Sequence, residues 1–129
     1  MIVIGIKEKV EKVVEEENLA SSMKSGLLPV FATPGMVALM EETSWKCVAP
    51  YLEEGCGTVG TSLEIKHVAA TPLGMKVYCE SELVEVDGRR LVFNVKVYDE
   101  KELIGEGKHE RFIVNNEKFT AKANSKASK

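Results

Sequence analysis

From Thr33 onward the side chains fall into a helical rhythm. Met36, Leu39, Met40, Thr43 and Cys47 share one side at three- and four-residue steps, interrupted by the polar Glu41, Glu42 and Lys46. Thr33-Pro34 reads as an N-cap followed by proline at the first helical position, where a missing N–H does no harm. Pro50 disfavours helical geometry at Ala49, so the pattern predicts one long helix of about 16 residues with an unusually apolar side. Beyond Gly55, Gly57 and Gly60 the period drops to two: Val59, Thr61, Leu63, Ile65, His67 and Ala69 take one face, and Ser62, Glu64 and Lys66 the other. Pro72 and Gly74 break that run, after which Val77, Cys79, Ser81 and Leu83 alternate with Lys76, Glu80 and Glu82. Asp87-Gly88 is a two-residue hairpin signal. Leu91, Phe93, Val95 and Val97 then alternate with Asn94 and Lys96, Asp99-Glu100-Lys101 turns the chain again, and a last strand runs from Leu103 to Val114. Gly105 and Gly107 share one face of that strand, which would let a helix lie close against the sheet.

Residues 7–18 carry a mixed signal. Val10, Val13 and Val14 stand at helical spacing among Lys and Glu, while the valine content and short length fit an edge strand equally well. The pattern alone leaves both open. The sum is an α+β chain: a curved antiparallel sheet with one face solvated and the other covered by the long helix. The sheet edge that remains uncovered is a natural place for dimerisation. From Thr120 to Lys129 the apolar rhythm is lost, so residues 1–122 read as one domain and 123–129 as a disordered tail.

Composition narrows the function classes. The chain has 129 residues, the size of one compact domain, and its 44% hydrophobic and 29% charged residues exclude wholesale disorder. Seventeen basic against twenty acidic residues leave a net charge of −3, so charge gives no reason to expect nucleic acid or an anionic membrane as a partner. No apolar run reaches the roughly 20 residues of a membrane span, and the N-terminus lacks the features of a signal peptide. Three cysteines without paired spacing read as free thiols in a reducing compartment. A cytoplasmic location is expected.

His67 is the most informative polar residue, because strand parity sets it on the face of Leu63 and Ile65, which should meet the helix. A histidine there either satisfies a buried partner or performs acid–base work. Glu41 lies within the helix among apolar neighbours, and it either faces solvent beside Glu42 or forms a hydrogen-bonded acid–base pair with His67. Thr33, at the helix start, stands where free N–H donors can meet an anion. Eight residues at about 1.5 Å rise put Thr33 and Glu41 about 12 Å apart along one helix. The two serve one site only through an intervening residue or through the partner subunit of a dimer. Cys47, Cys56 and Cys79 lack metal-ligand spacing, and His67 with His109 lacks a third ligand, so no metal is expected. His109-Glu110-Arg111 reads as a salt-bridge cluster rather than a phosphate site. Neither a phosphate loop nor a Gly-x-Ser-x-Gly elbow is present.

The runs Val30-Phe31-Ala32-Thr33-Pro34, Leu39-Met40-Glu41, Gly57-Thr58-Val59-Gly60-Thr61, His67-Val68-Ala69-Ala70-Thr71-Pro72-Leu73-Gly74, Val86-Asp87-Gly88-Arg89 and Ile104 to Arg111 occur in this order. Together they resemble the fluoroacetyl-CoA-thioesterase-like branch of the hotdog superfamily over about residues 10–122. The resemblance implies a hotdog fold in which residues 7–18 form the first strand, and a homodimer or dimer of dimers built by joining sheets. It implies catalysis by Thr33, Glu41 and His67, with Gly60, Pro34 and Gly35 at the substrate. Two departures bear on selectivity. Fluorine-selective members carry Gly-Phe where Pro34-Gly35 stand, and a longer lid than the stretch Asn18–Gly26. The implied activity is hydrolysis of a short-chain or aromatic acyl-CoA to free acid and CoA, with no cofactor beyond the CoA of the substrate. In such a site Glu41 serves as nucleophile or as base on water, and His67 assists proton transfer. The competing reading is a hotdog module that binds acyl thioesters without cleaving them.

Overall fold

The structure, a computed structural model, describes residues 2–127. Strand β1 (Lys7–Val13) opens the fold, followed by a short helix α1 (Ala20–Met23) and the long helix α2 (Thr33–Val48), which a 3₁₀ turn extends through Tyr51. Strands β2 (Cys56–His67), β3 (Lys76–Asp87), β4 (Arg90–Asp99) and β5 (Leu103–Asn115) follow, then helix α3 (Asn116–Asn124). The five strands form one antiparallel sheet in the order β1-β3-β4-β5-β2, so β1 and β2 are its edges. Residues 7–13 alternate exposed and half-buried positions along β1. Val10 packs against the core while Val13 is exposed, so the segment is a strand, but a shorter one than residues 7–18: it ends at Val13, and Glu16–Asn18 form a 3₁₀ turn.

The sheet curls around α2. Gly35, Met36, Leu39, Met40, Thr43, Ser44, Cys47 and Val48 are buried on the helix, which is the apolar side expected from the sequence. Opposite them lie Val77, Cys79, Leu83, Leu91, Phe93, Val95 and Val97, all within 1% of complete burial. Buried hydroxyls on this face are all bonded. Thr43 Oγ1 donates to the Leu39 carbonyl at 2.7 Å, and Ser44 Oγ meets Ser81 Oγ at 2.9 Å across the helix–sheet interface. Cys47 and Cys79 are buried free thiols whose pKa values burial pushes up to about 11, so neither is a nucleophile at neutral pH.

Four expectations need correction. The helix is not capped by Thr33: Ala32 is the N-cap, Thr33 is the first helical residue, and no side chain caps the turn. The hairpin loop falls one residue later than the Asp87-Gly88 signal, on Gly88-Arg89, with Gly88 at φ +61°. Strand β2 does not keep one parity, because the register with β5 shifts between Gly60 and Ser62. That bulge at Thr61 gives the helix face to Leu63, Ile65 and His67 on one side and to Gly60 and Thr58 on the other. Val59 and Thr61 therefore leave the face assigned to them. The chain end expected to fray is helical through Asn124 with a 3₁₀ turn at Ser125–Ala127, and Ser128 and Lys129 lie outside the described residues.

Only one of the two β5 glycines expected to admit the helix does so: a Cβ on Gly105 would collide with Met36 Sδ of α2, whereas one on Gly107 would stand 2.6 Å from Ile65 Cα of the neighbouring strand β2, so Gly107 makes room for β2 instead. Gly105→Ala is expected to lower stability by about 1–3 kcal/mol through overpacking, read as a shifted midpoint in urea. An unchanged midpoint would mean that the helix retreats at no cost.

Candidate active site

The first cluster assembles where the entry to α2 meets the end of β2. Backbone bonds tie the two segments together: Phe31 N–H donates to the Thr71 carbonyl at 2.8 Å, and Val30 bridges Pro72. The loop after His67 is held in turn by Asp99, which accepts from Thr71 Oγ1 at 2.8 Å and from the backbone N–H groups of Lys101 and Glu102. Burial opposes ionisation of Asp99, but these three bonds outweigh it and keep its carboxyl below the usual range. Within this frame Thr33 Oγ1 and His67 Nδ1 lie 2.8 Å apart, with Phe31 edge-on to the imidazole. Because Thr33 does not cap its helix, its hydroxyl is free for this bond. His67 Nε2 is buried and has no hydrogen-bond partner among the described residues. A cleft of about 340 Å³ opens here, lined among others by Val30, Thr33, His67 and Ala69. Pro34 is exposed beside it. Gly35 is buried, where a Cβ would stand 3.0 Å from the Phe31 ring.

The second cluster lies two turns along α2. Glu41 Oε2 stands 3.6 Å from Arg111 Nη1 of β5. Arg111 is only 5% exposed, and Thr58 accepts from it twice: from Nε on the side-chain oxygen at 2.8 Å and from Nη2 on the carbonyl at 2.9 Å. Burial lowers the Arg111 pKa and Glu41 partly restores it, so the carboxylate compensates a cation that the fold has taken out of water. Gly60 closes this cluster. A Cβ there would be 3.0 Å from Glu41 Oε2, 3.2 Å from His109 Cε1 and 3.3 Å from Arg111 Nη1.

The structure thus brings Thr33 to His67 and Glu41 to Gly60, and within one chain it does not bring Glu41 to His67. The expected pair of imidazole and carboxylate is absent from the single protomer, for the same reason that separates Thr33 from Glu41: both clusters are fixed to opposite ends of a rigid stretch of helix. Sequence reasoning missed Arg111 and His109 as site residues. The available signal was parity, since both share the face of β5 that Gly105 gives to the helix. Of the expected salt-bridge cluster, Glu110 does pair outward with Arg90 at 2.5 Å, and it also accepts from Thr61 at 2.6 Å.

One antiparallel sheet curled around one long helix is the hotdog architecture, also seen in a hot-dog-like protein from Thermanaerovibrio acidaminovorans. A thioesterase superfamily member from Thermus thermophilus matches with a TM-score of 0.88 at 32% identity, covering 96% of this chain and 92% of its own. The chain is a hotdog-fold member of the thioesterase superfamily. Within it, residues 14–117 match the model of the fluoroacetyl-CoA-specific thioesterase family. A fluoroacetyl-CoA thioesterase from Streptantibioticus cattleyicolor is 47% identical over 97 residues, which cover 75% of this chain and 70% of that protein. A variant of a fluoroacetyl-CoA-specific thioesterase, crystallised with fluoroacetate and CoA, matches with a TM-score of 0.85 at 38% identity, covering 92% of this chain and 99% of that one. This chain belongs to the fluoroacetyl-CoA-specific thioesterase family, a family of thioester hydrolases.

Both site histidines are held toward the neutral form. Desolvation lowers His67, and desolvation followed by the Arg111 charge lowers His109, each from 6.5. Proton NMR is expected to place both midpoints below 6.5. The unfolded chain binds these protons more readily, so stability is complete above about pH 6.5 and falls as the pH drops toward the folded midpoints. A midpoint above 6.5 for either ring would contradict the burial seen here.

Proposed function

We propose that the chain hydrolyses the thioester of a short-chain or aromatic acyl-CoA, in a site shared between two protomers. The observation that carries this reading is the Thr33–His67 hydrogen bond, with the second imidazole nitrogen buried and unpartnered among the described residues. A buried polar nitrogen without a partner is costly. A homodimer joined along the β2 edges would let Glu41 of the partner subunit approach it. Crystallisation of a family relative with CoA and fluoroacetate supports an acyl-CoA as substrate.

In this reading Glu41 takes a proton from water, and the hydroxide attacks the thioester carbonyl. The tetrahedral intermediate collapses with cleavage of the C–S bond, and His67 relays the proton to the departing CoA thiolate. Thr33 orients the imidazole and the acyl group. The first turn of α2 turns the positive end of the helix dipole toward the developing oxyanion. Because a thiolate leaves readily, positioning and charge stabilisation matter more than a strong general acid. Gly60 leaves room for the thioester beside Glu41, and Pro34, exposed next to Thr33, would meet the substrate at the edge of the cleft. Lys66, Arg89 and Lys108 are candidates for the CoA phosphates, whereas Arg90 is already engaged by Glu85 and Glu110.

In a thiol-release assay across a panel of acyl-CoAs, Glu41→Gln and His67→Ala are each expected to lose about 10²-fold or more of the rate. Near-wild-type rates in both reject the mechanism, and binding without thiol release would favour an acyl-thioester binding module.

Co-expressing the two variants gives a sharper result. Half of a random dimer population is mixed, and each mixed dimer has one site with both groups intact, so about a quarter of wild-type activity should return. Activity no higher than that of either variant alone would place Glu41 and His67 of the same chain in one site.

A further inference from the structure

His109 takes no part in the Thr33, Glu41 and His67 set, yet it is 1% exposed and both of its ring nitrogens are bonded. Nδ1 lies 2.9 Å from the Ser62 carbonyl, which only accepts, so Nδ1 carries the proton. Nε2 then presents its lone pair to Arg111 Nη1 at 3.0 Å. A second proton on the ring would point one N–H at another. The neutral tautomer is therefore enforced by its neighbours.

We infer that His109 is a positioning residue that aims the Arg111 guanidinium at Glu41. The inference rests on the reading of Glu41 as a catalytic group. Thr58 occupies Nε and Nη2 of the guanidinium, and His109 takes one direction of Nη1, which leaves the remaining Nη1 hydrogen for Glu41 Oε2. Rotation of the guanidinium away from Glu41 would break the His109 bond. The imidazole also fixes the local backbone, because Ser62 directly follows the register shift and the ring edge lies against Gly60. One side chain thus links the bulge, the glycine gap and the cation. An apolar residue of similar volume would fill the space beside Phe93 but leave a buried guanidinium hydrogen without an acceptor.

Three variants separate this role from simple packing. His109→Asn keeps a donor for Ser62 and loses the acceptor for Arg111; His109→Gln restores an acceptor near the Nε2 position; His109→Leu keeps only volume. Asn and Leu are expected to lower kcat about 10²-fold with KM nearly unchanged, and Gln to recover most of that loss. The guanidinium N–H resonances of Arg111, protected in the wild type, should exchange quickly in Asn and remain protected in Gln. Wild-type kcat in Asn and Leu overturns the inference, as does equal loss in all three. If Leu fails to fold, the comparison of Asn with Gln decides alone. A wild-type rate in Glu41→Gln overturns instead the reading of Glu41, while the resonances of Arg111 still report whether His109 holds it.

Discussion

A helix is a stiff rod, and that stiffness divides the site of this protein in two. Thr33 and Glu41 belong to the same 16-residue helix, whose rise keeps them about 12 Å apart whatever their side chains do. Each end of that interval has its own polar cluster. At the first, a hydroxyl and an imidazole are in contact and one imidazole nitrogen is unbonded among the described residues. At the second, a carboxylate faces a buried guanidinium. Neither cluster alone contains both the acid–base pair and the means to fix it. The uncovered edge strand β2 runs between them, from Thr58 and Gly60 at one end to His67 at the other. A two-fold axis beside such a strand reverses its direction in the partner, and so sets one kind of end against the other.

The second cluster carries the larger energetic commitment. Arg111 is a buried charge that needs a compensating partner, although water reaches Glu41 and screens the pair well below the strength of a fully buried one. Arg111 is 7% exposed in its side chain and Glu41 41%, so the cation is the buried member and the carboxylate the accessible one. That asymmetry suits catalysis. The guanidinium is fixed by Thr58 and His109 before any ligand arrives, whereas the carboxylate can still meet a water or a carbonyl. Gly60 is the corollary, since any side chain there would enter the space between these groups.

Much of the fold was legible because its hydrophobic pattern had few interpretations. The long helix was set by the three- and four-residue steps from Met36 to Cys47, and β3 and β4 by strict alternation. The errors share a cause. Thr33 has the chemistry of an N-cap, but tertiary structure offered its hydroxyl a better partner than its own helix. The parity assigned to β2 failed at Thr61 because one extra residue flips every side chain beyond it. Neither a long-range hydrogen bond nor a bulge leaves a local pattern. Motif resemblance placed Thr33, Glu41, His67 and Gly60 without reference to distance. Geometry then separated them into the two clusters.

The bulge also explains why two groups of residues with opposite parity meet the same helix. Without it, His67 and Gly60 would lie on opposite faces of β2, as residues seven apart do in a regular strand. With it, both face α2, and Thr61 turns outward to Glu110, which Arg90 braces from β4. The inward consequence is the Ser62 carbonyl, bonded to the His109 ring rather than left open. The ion pairs on the outer face and the histidine on the inner face therefore secure the same irregularity from opposite sides of the sheet. A regular strand would hold the sheet together equally well. Only the irregular one puts an imidazole and a glycine gap on a single face, as the proposed site shared along this edge requires.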